Sequence, residues 1–517
     1  MGATESGPPT GDRFAAVVGM TPQGASALKV GVLACLFVAA WTAIATLADG
    51  TGALHHDVVE AYVWGREFQL GYYKHPPFWA WLTGAWFLVF PRANWAANLL
   101  AMTNAAVGLV GAWALIGCFS AGPRRAAASL LLVATPFYTA MATRFNANGV
   151  FLSLWPWTLY AFVRSLDAPR PRERLLFAAL FGVLVGAAGL SKYYALVLAA
   201  GCVLSLPLHP RGWAWLRSPA PWIAAAIAAA AVAPHLWWLV RTDFPPFRYF
   251  SAETGRSLAF SLGNVARMPL EWLAYHAIVI LVAVAAAGTG PRAWARALKA
   301  RSGESRFRFM AGLLGFPLLL TLVAGLAFRL KLSSNWTEAA FPLAPLLVLD
   351  VVGGDMRRIG RVAAGVAIGV TAAALALSPA LGRGLFGARA PNLVEPRREL
   401  AVQADVLWRR TAGGPLRIVA GSFPYDEAIA FYAPDRPSVF IDFDPGKAPW
   451  ITPARLEREG WLAACASSDG ACLARAQALA GPKSRRFTLT LVRQGLARAS
   501  APVSFQLFVT PPGRPGG

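Results

Sequence analysis

The densest group of reactive side chains lies between residues 55 and 77. His55-His56-Asp57-Val58-Val59-Glu60-Ala61-Tyr62-Val63-Trp64 is followed there by Gly71-Tyr72-Tyr73-Lys74-His75-Pro76-Pro77. Asp57 comes shortly after a long apolar run, at the depth of a lipid head group, and an ionisable residue at that depth is a functional candidate by default. Its carboxylate has the chemistry of a general base, a role that typically contributes roughly 10² to 10⁴-fold to a rate. Glu60, one helical turn further, shares the face of Asp57 and serves as a second acid. Tyr62, Trp64, Tyr72 and Tyr73 offer flat faces for sugar rings, although aromatic belts at membrane interfaces use the same residue types. Lys74 and His75 supply polar contacts, and His75 also shapes the His-Pro-Pro turn. His55 and His56 read as solvated loop residues in preference to metal ligands.

These residues need a scaffold, and composition says which kind. Of the 517 residues 56% are hydrophobic and only 14% are charged, against roughly 25% charged in soluble domains. Mean hydropathy is +0.47. Apolar runs long enough to cross a hydrocarbon core of roughly 30 Å recur along the first three quarters of the chain. The expected spans are 28–47, 95–119, 126–143, 149–166, 175–191, 193–208, 219–240, 269–288, 309–329, 337–352 and 362–382, about eleven in all. Phe78 to Phe90 is apolar too, but is expected to lie along the outer membrane surface as a juxtamembrane helix.

The net charge of +22 does not indicate nucleic acid, because the basic residues fall in short loops between apolar runs instead of on one domain face. Arg124/Arg125, Arg170/Arg172/Arg174, Arg211/Arg217, the stretch Arg292 to Arg308 and Arg357/Arg358/Arg361 all land on one side, the cytoplasmic side under the positive-inside rule. Anionic membrane lipid is the partner that such loops attract. Outward loops are then 48–94, 144–148, the 191–193 turn, 241–268 and 330–336.

Three domains follow: a disordered cytoplasmic tail over 1–27, a membrane domain over 28–385 and a small exterior α/β domain over 386–517. In the last, Arg417-Ile-Val-Ala reads as a strand, Asp426 to Tyr432 as a helix, Ser438 to Phe443 as a strand, and Phe487 to Val492 with Val503 to Val509 as an antiparallel pair. Cys35, Cys118 and Cys202 sit in apolar runs as small hydrophobes. Cys465 and Cys472 form a short-loop disulfide if the domain faces an oxidising compartment. The chain has no Walker loop, HExxH or CxxC pair, so ATP and structural zinc are unsupported. Gly382, Gly384 and Gly387 follow a membrane span instead of a strand, which makes their GxGxxG spacing a chance match.

The first outer loop resembles that of the bacterial glycosyltransferase family 39, polyprenyl-phosphate sugar transferases that include aminoarabinose transferases and relatives of protein O-mannosyltransferases. The fold that the resemblance implies is a polytopic α-helical membrane protein of GT-C type. Anchoring on Trp64, Gly71 and His75-Pro76-Pro77 puts Asp57 on the family's Asp, while Val58 replaces its following Glu. Gly189-Leu190-Ser191-Lys192-Tyr193 is similar to the family's Gly-Leu-x-x-Ser-Lys-Tyr segment, and Asn335-Trp336 to Pro342 resembles its Asn-Trp-Pro loop. Where the family often carries an acid at the start of the fourth span, this sequence has Asn148. An amide supplies no negative charge, so no metal is assigned and a divalent cation is in question as a cofactor.

The resemblance implies transfer of a sugar from a polyprenyl-phosphate donor to a lipid A-like, glycan or protein acceptor, with inversion, at the outer face of a bacterial inner membrane. Asp57 deprotonates the acceptor. Positive charge for the leaving phosphate comes from Lys192 as a point charge and from Arg241, Arg248 or Arg256 as bidentate donors. Asp243 and Glu253, in the same outer loop as those arginines, join Tyr62, Trp64, Tyr72, Tyr73, Lys74, His75 and Asn148 as donor or acceptor contacts. Plainer readings stand beside these: Asp57 as a helix cap, and Lys192 as a lysine snorkelling to the interface. Two other functions fit the architecture, a transporter or flippase for a lipid-linked substrate and a catalytically silent scaffold.

Overall fold

In lipid every backbone N–H and C=O must be paired within the protein, so long apolar runs become helices. The computed structural model describes residues 22–251, 254–385 and 390–513, and each expected span holds a helix. Among the described residues five helices are long and apolar enough to cross a membrane: Ala27–Asp49, Asn94–Gly117, Ala220–Arg241, Ser305–Ala327 and Met356–Gly382. A sixth is added if Leu258–Tyr275 and Ala277–Ala287, which meet at 51°, form one bent span. The chain is a multi-pass membrane protein.

The other expected spans are shorter or carry charge. The run 126–143 is helical only over Gly122–Val133, and 337–352 only over Ala344–Val352. Short 3-10 turns at Ser334–Trp336 and Glu338–Ala340 precede that last helix, so 337–343 belongs to the loop and not to the span. Residues 1–21 of the expected tail lie outside the described residues, and 22–27 already belong to the first helix. Residues 386–389, at the expected domain boundary, lie outside them as well.

The C-terminal segment folds around a five-stranded sheet. Its strands are β1 (Ile418–Gly421), β2 (Ser438–Val439), β3 (Trp461–Ala466), β4 (Arg485–Leu491) and β5 (Val503–Thr510), in the order β2-β1-β3-β5-β4. The first three pair in parallel and the last three antiparallel. The strand expected from Ser438 to Phe443 stops after Val439, because Asp442 and Phe443 take left-handed backbone angles in a 3-10 turn. The central strand, β3, was not expected. Cys465 at its end is disulfide-bonded to Cys472.

This domain sits on the first outer loop. The Tyr432 hydroxyl donates to Asn94 Oδ1 (2.8 Å) and accepts from the Leu54 N–H (2.8 Å). Arg92 donates to the carbonyls of Phe431 and Ala433 (both 2.8 Å) and of Pro434 (3.0 Å). Tyr62, Phe87 and Phe431 meet edge to face at 5.2–5.5 Å, the arrangement aromatic quadrupoles favour. On the opposite face, which carries the basic loops, the buried Asp350 carboxylate pairs with both Arg124 and Arg306. It ties the helices Gly122–Val133, Ser305–Ala327 and Ala344–Val352 together at that end.

Candidate active site

Asp57 stands in the first turn of the helix His56–Gly65, where the helix dipole favours negative charge. His55 caps this helix, its Nδ1 accepting the Asp57 N–H at 3.3 Å. Asn146 Nδ2 donates to Asp57 Oδ2 at 2.9 Å. Its own Oδ1 accepts the N–H groups of Asn148 and Gly149, both at 2.9 Å, which fixes the amide. His56 Nε2 lies 3.2 Å from Asp57 Oδ1. Burial pushes His55 down to about 4 and also lowers His56, so both rings are neutral near pH 7. His55, His56 and Asp57 each offer one ligand atom, all within 4.8 Å of one another, a donor set suited to a divalent cation. The Asp57 side chain keeps 35% of its surface exposed, so a reacting group can reach it.

One turn along, Glu60 is buried and accepts from Lys74 Nζ at 2.6 Å. Burial raises the Glu60 pKa, and the Lys74 charge opposes the rise. For Lys74 burial is the largest influence and acts downward, but the Glu60 charge, Tyr73 and the hydrogen bond to Glu60 together outweigh it and hold the ammonium above its ordinary value. The Lys74 Nζ lies 5.2 Å from the ring centre of Tyr73, 5.6 Å from Phe423, 5.7 Å from Trp64 and 5.9 Å from Tyr249, within cation–π range of all four. Phe423 belongs to the C-terminal domain, and so does Lys447, whose Nζ lies 5.2 Å from the Tyr73 ring. Asp426 and Glu427, from the helix Tyr425–Tyr432, close over the loop. Burial lifts Asp426 to about 7. Burial and then the Glu60 charge raise Glu427 well above the carboxylate range.

Lys192 comes from the turn between the helices Pro171–Gly189 and Ala195–Ser205. Its Nζ donates to Asn148 Oδ1 at 2.6 Å and lies 4.7 Å from the Trp336 ring centre. Burial pulls it down to about 7, against the upward pull of Glu338 and Asp57. Burial also takes His75 well below its ordinary value, aided by the charges of Lys192 and Lys74. Asp57, Lys192, Asn148, His75, Glu60 and Lys74 therefore form one polar cluster between the bundle end and the C-terminal domain.

The aromatic residues divide. Trp64 and Tyr72 are buried and stacked at 4.9 Å, and the Tyr72 hydroxyl donates to the Trp64 carbonyl at 2.6 Å. With Tyr62 they are loop core, while Tyr73 stays half-buried beside the two lysines. Gly71 is required by packing: a Cβ there would lie 2.3 Å from the Trp238 ring. Of the outer arginines, Arg241 is exposed and sits over Trp237 at 5.4 Å. Arg248 pairs with Asp243, both exposed. The Arg256 N–H donates to the Arg329 carbonyl at 3.3 Å. No contact with Asp57 or Lys192 is seen for these three among the described residues, and Glu253 lies outside them. Sequence reasoning missed Asn146, Arg144, Glu338, Glu427 and Phe423. Arg144 is exposed, and its charge bears on both His55 and His56. Asn146 and Arg144 were within reach, since both stand beside the 144–148 loop residue Asn148.

Residues 74–238 match the family described as dolichyl-phosphate-mannose-protein mannosyltransferase. That family's segment holds Lys74, His75, Asn148 and Lys192, and Asp57 precedes it. Among curated proteins, the chain is similar to the lipid A galacturonosyltransferase RgtD of Rhizobium johnstonii, at 25% identity over 62% of this chain and 65% of that one. It is also similar to the lipopolysaccharide core galacturonosyltransferase RgtB of the same organism, at 27% identity over 59% and 60%. The chain thus spans less than two thirds of the length of either relative. Among solved structures it resembles ArnT from Cupriavidus metallidurans bound to undecaprenyl phosphate, with a TM-score of 0.60, 14% identity, and coverage of 91% of this chain and 97% of that one. The apo state of the same protein gives 0.59 at 15% identity, with the same coverage. At such identities the likeness concerns the fold, which is GT-C.

Proposed function

We propose that this chain is a membrane glycosyltransferase that moves a sugar from a polyprenyl-phosphate donor to a hydroxyl or phosphate acceptor at the outer membrane face. The observation that carries the reading is a fixed, accessible base, Asp57 held by Asn146, in the same cluster as a half-buried ammonium, Lys192, at one end of the bundle. In a single displacement the acceptor oxygen bonds to the anomeric carbon as Asp57 takes its proton. The bond from that carbon to the phosphate oxygen breaks, and the electron pair leaves on the phosphate beside Lys192. The configuration at carbon inverts. Lys192 is more effective there than in water, because the half-buried site and the Asn148 hydrogen bond fix the ammonium in place.

The relatives named for lipid A and core galacturonosyl transfer support a galacturonic-acid donor and a lipopolysaccharide acceptor. They also support a bacterial inner membrane location with the exterior domain in the periplasm. In this reading residues 28–385 form the catalytic unit and 386–517 its roof. The grouping of polar residues at one end of the bundle favours transfer over transport, which needs a mid-membrane site.

The test uses purified protein in lipid with radiolabelled undecaprenyl-phosphate galacturonic acid and lipid A, comparing wild type with Asp57→Asn. Loss of transfer by roughly 10² to 10⁴-fold with donor binding retained is the expected result. Equal transfer by both proteins would remove Asp57 from the mechanism, and absence of transfer by wild type would remove this donor.

A further inference from the structure

Glu338 is an enclosed residue whose carboxyl still meets solvent and pairs with nothing among the described residues. Only 8% of its surface is exposed, and among the described residues it makes no hydrogen bond and no ion pair. A carboxyl that solvent reaches, in a place otherwise closed by the fold and with no protein partner, is open to a ligand. It stands in the 3-10 turn Glu338–Ala340, packed against the helix Phe151–Asp167 that follows Asn148. The preceding turn presents Trp336 to the Lys192 ammonium at 4.7 Å. Lys192 and Glu338 act on each other electrostatically, yet they are not within the 4 Å of an ion pair. Lys192 spends a hydrogen bond on the Asn148 amide instead. Glu338 thus stands close enough to act on the ammonium that would meet a leaving phosphate without pairing with it, so a group attached to that phosphate comes within its reach.

We propose that Glu338 binds the donor's sugar, hydrogen-bonding one of its hydroxyl groups beside Lys192. The inference rests on the polyprenyl-phosphate reading above and assigns a sugar contact to a loop not otherwise given one. It also supplies a carboxyl on the Lys192 side of the cluster, where Asn148 offers only an amide. Burial raises Glu338 to about 8, so near neutral pH it can donate as well as accept, which suits a hydroxyl partner. A purely structural role fits poorly, because the carboxyl supports no neighbour by hydrogen bonding.

The test compares affinity for two lipids, bare undecaprenyl phosphate and undecaprenyl-phosphate galacturonic acid, in wild type, Glu338→Met and Glu338→Gln. Glu338→Met is expected to weaken binding of the sugar-bearing lipid about tenfold, the scale of one lost hydrogen bond, and to leave the bare lipid unchanged. Glu338→Gln, which keeps the shape and an acceptor oxygen, is expected to recover most of the loss. An equal loss for both lipids would overturn the proposal, since Glu338 would then act through Lys192. No loss for either lipid would overturn it too. If Glu338→Met does not fold, the Gln variant decides: a smaller loss confined to the sugar-bearing lipid supports the proposal, and an equal or absent effect refutes it. A wild type that holds neither lipid would defeat the polyprenyl-phosphate reading, and this inference with it.

Discussion

The Lys192 ammonium makes donor binding depend on pH in a way that can be worked out from its surroundings. Burial sets its pKa at about 7 in the folded protein, far below the usual 10.4 or so of lysine. A sugar phosphodiester carries one fixed negative charge across this range, so only the protein titrates. If the charged lysine is what holds the phosphate, apparent affinity follows the protonated fraction. That fraction is about one half at pH 7, a tenth at pH 8 and a hundredth at pH 9, or about 1.4 kcal/mol per pH unit. Glu338, which ionises near pH 8, adds negative charge and softens the slope above that point. Glu338→Gln removes this support and moves the limb to lower pH. Lys192→Arg keeps its charge throughout and should abolish the limb. The measurement is binding of undecaprenyl-phosphate galacturonic acid to protein in nanodiscs from pH 6 to 9 at constant ionic strength. A flat wild-type profile, or the same slope in the Arg variant, would refute the reasoning. Stability without donor runs the other way. Between about pH 7 and 10.5 the unfolded chain holds more protons at this site than the folded one, so the folded form gains as pH rises through that window.

Other perturbations follow from the same contacts. Asn146→Ala frees the Asp57 carboxylate and is expected to cut transfer about tenfold with donor affinity unchanged, read as kcat against KM. Arg92→Ala removes the donors that clasp the 431–434 carbonyls and should cost about 2 kcal/mol, seen as a lower Tm and faster proteolysis of the exterior domain. Lys74→Met leaves Glu60 buried without its partner and should destabilise by about 3 kcal/mol by denaturant unfolding, mostly recovered by a second change, Glu60→Gln. Gly71→Ala drives a methyl into the Trp238 ring and should cost about 1–3 kcal/mol in the same assay.

What could be read in advance was local. The positions of the helices followed from apolar runs, and Asp57, Lys192 and His75 from motif spacing, because each depends on neighbours in sequence. Tyr62, Trp64 and Tyr72 show the limit: an aromatic residue in an outer loop has the same signature whether it meets a sugar or other rings, and only packing decided for the rings. β3 escaped because Trp461 to Ala466 is apolar and small-chained without alternation, as a central strand covered on both sides is. Glu338 was hidden inside an apolar run that looked like a span, whose start is broken by 3-10 turns. Phe423, Glu427 and Lys447 reach the first loop across 349 residues of chain or more, and no periodicity reports such a contact.

The Asp350 clip gives the bundle a spine and a fore-edge, like a book. Two arginines grip one buried carboxylate at the basic face, so parting the helices there would strand a charge in a poor solvent, a heavy penalty. At the other end neutral amides, turns, aromatic edges and the seat of the C-terminal domain join the helices, as where Asn98 donates to Asp49. The mechanical consequence is a difference in stiffness: separating the helices costs more at the bound edge than at the edge where the C-terminal domain rests.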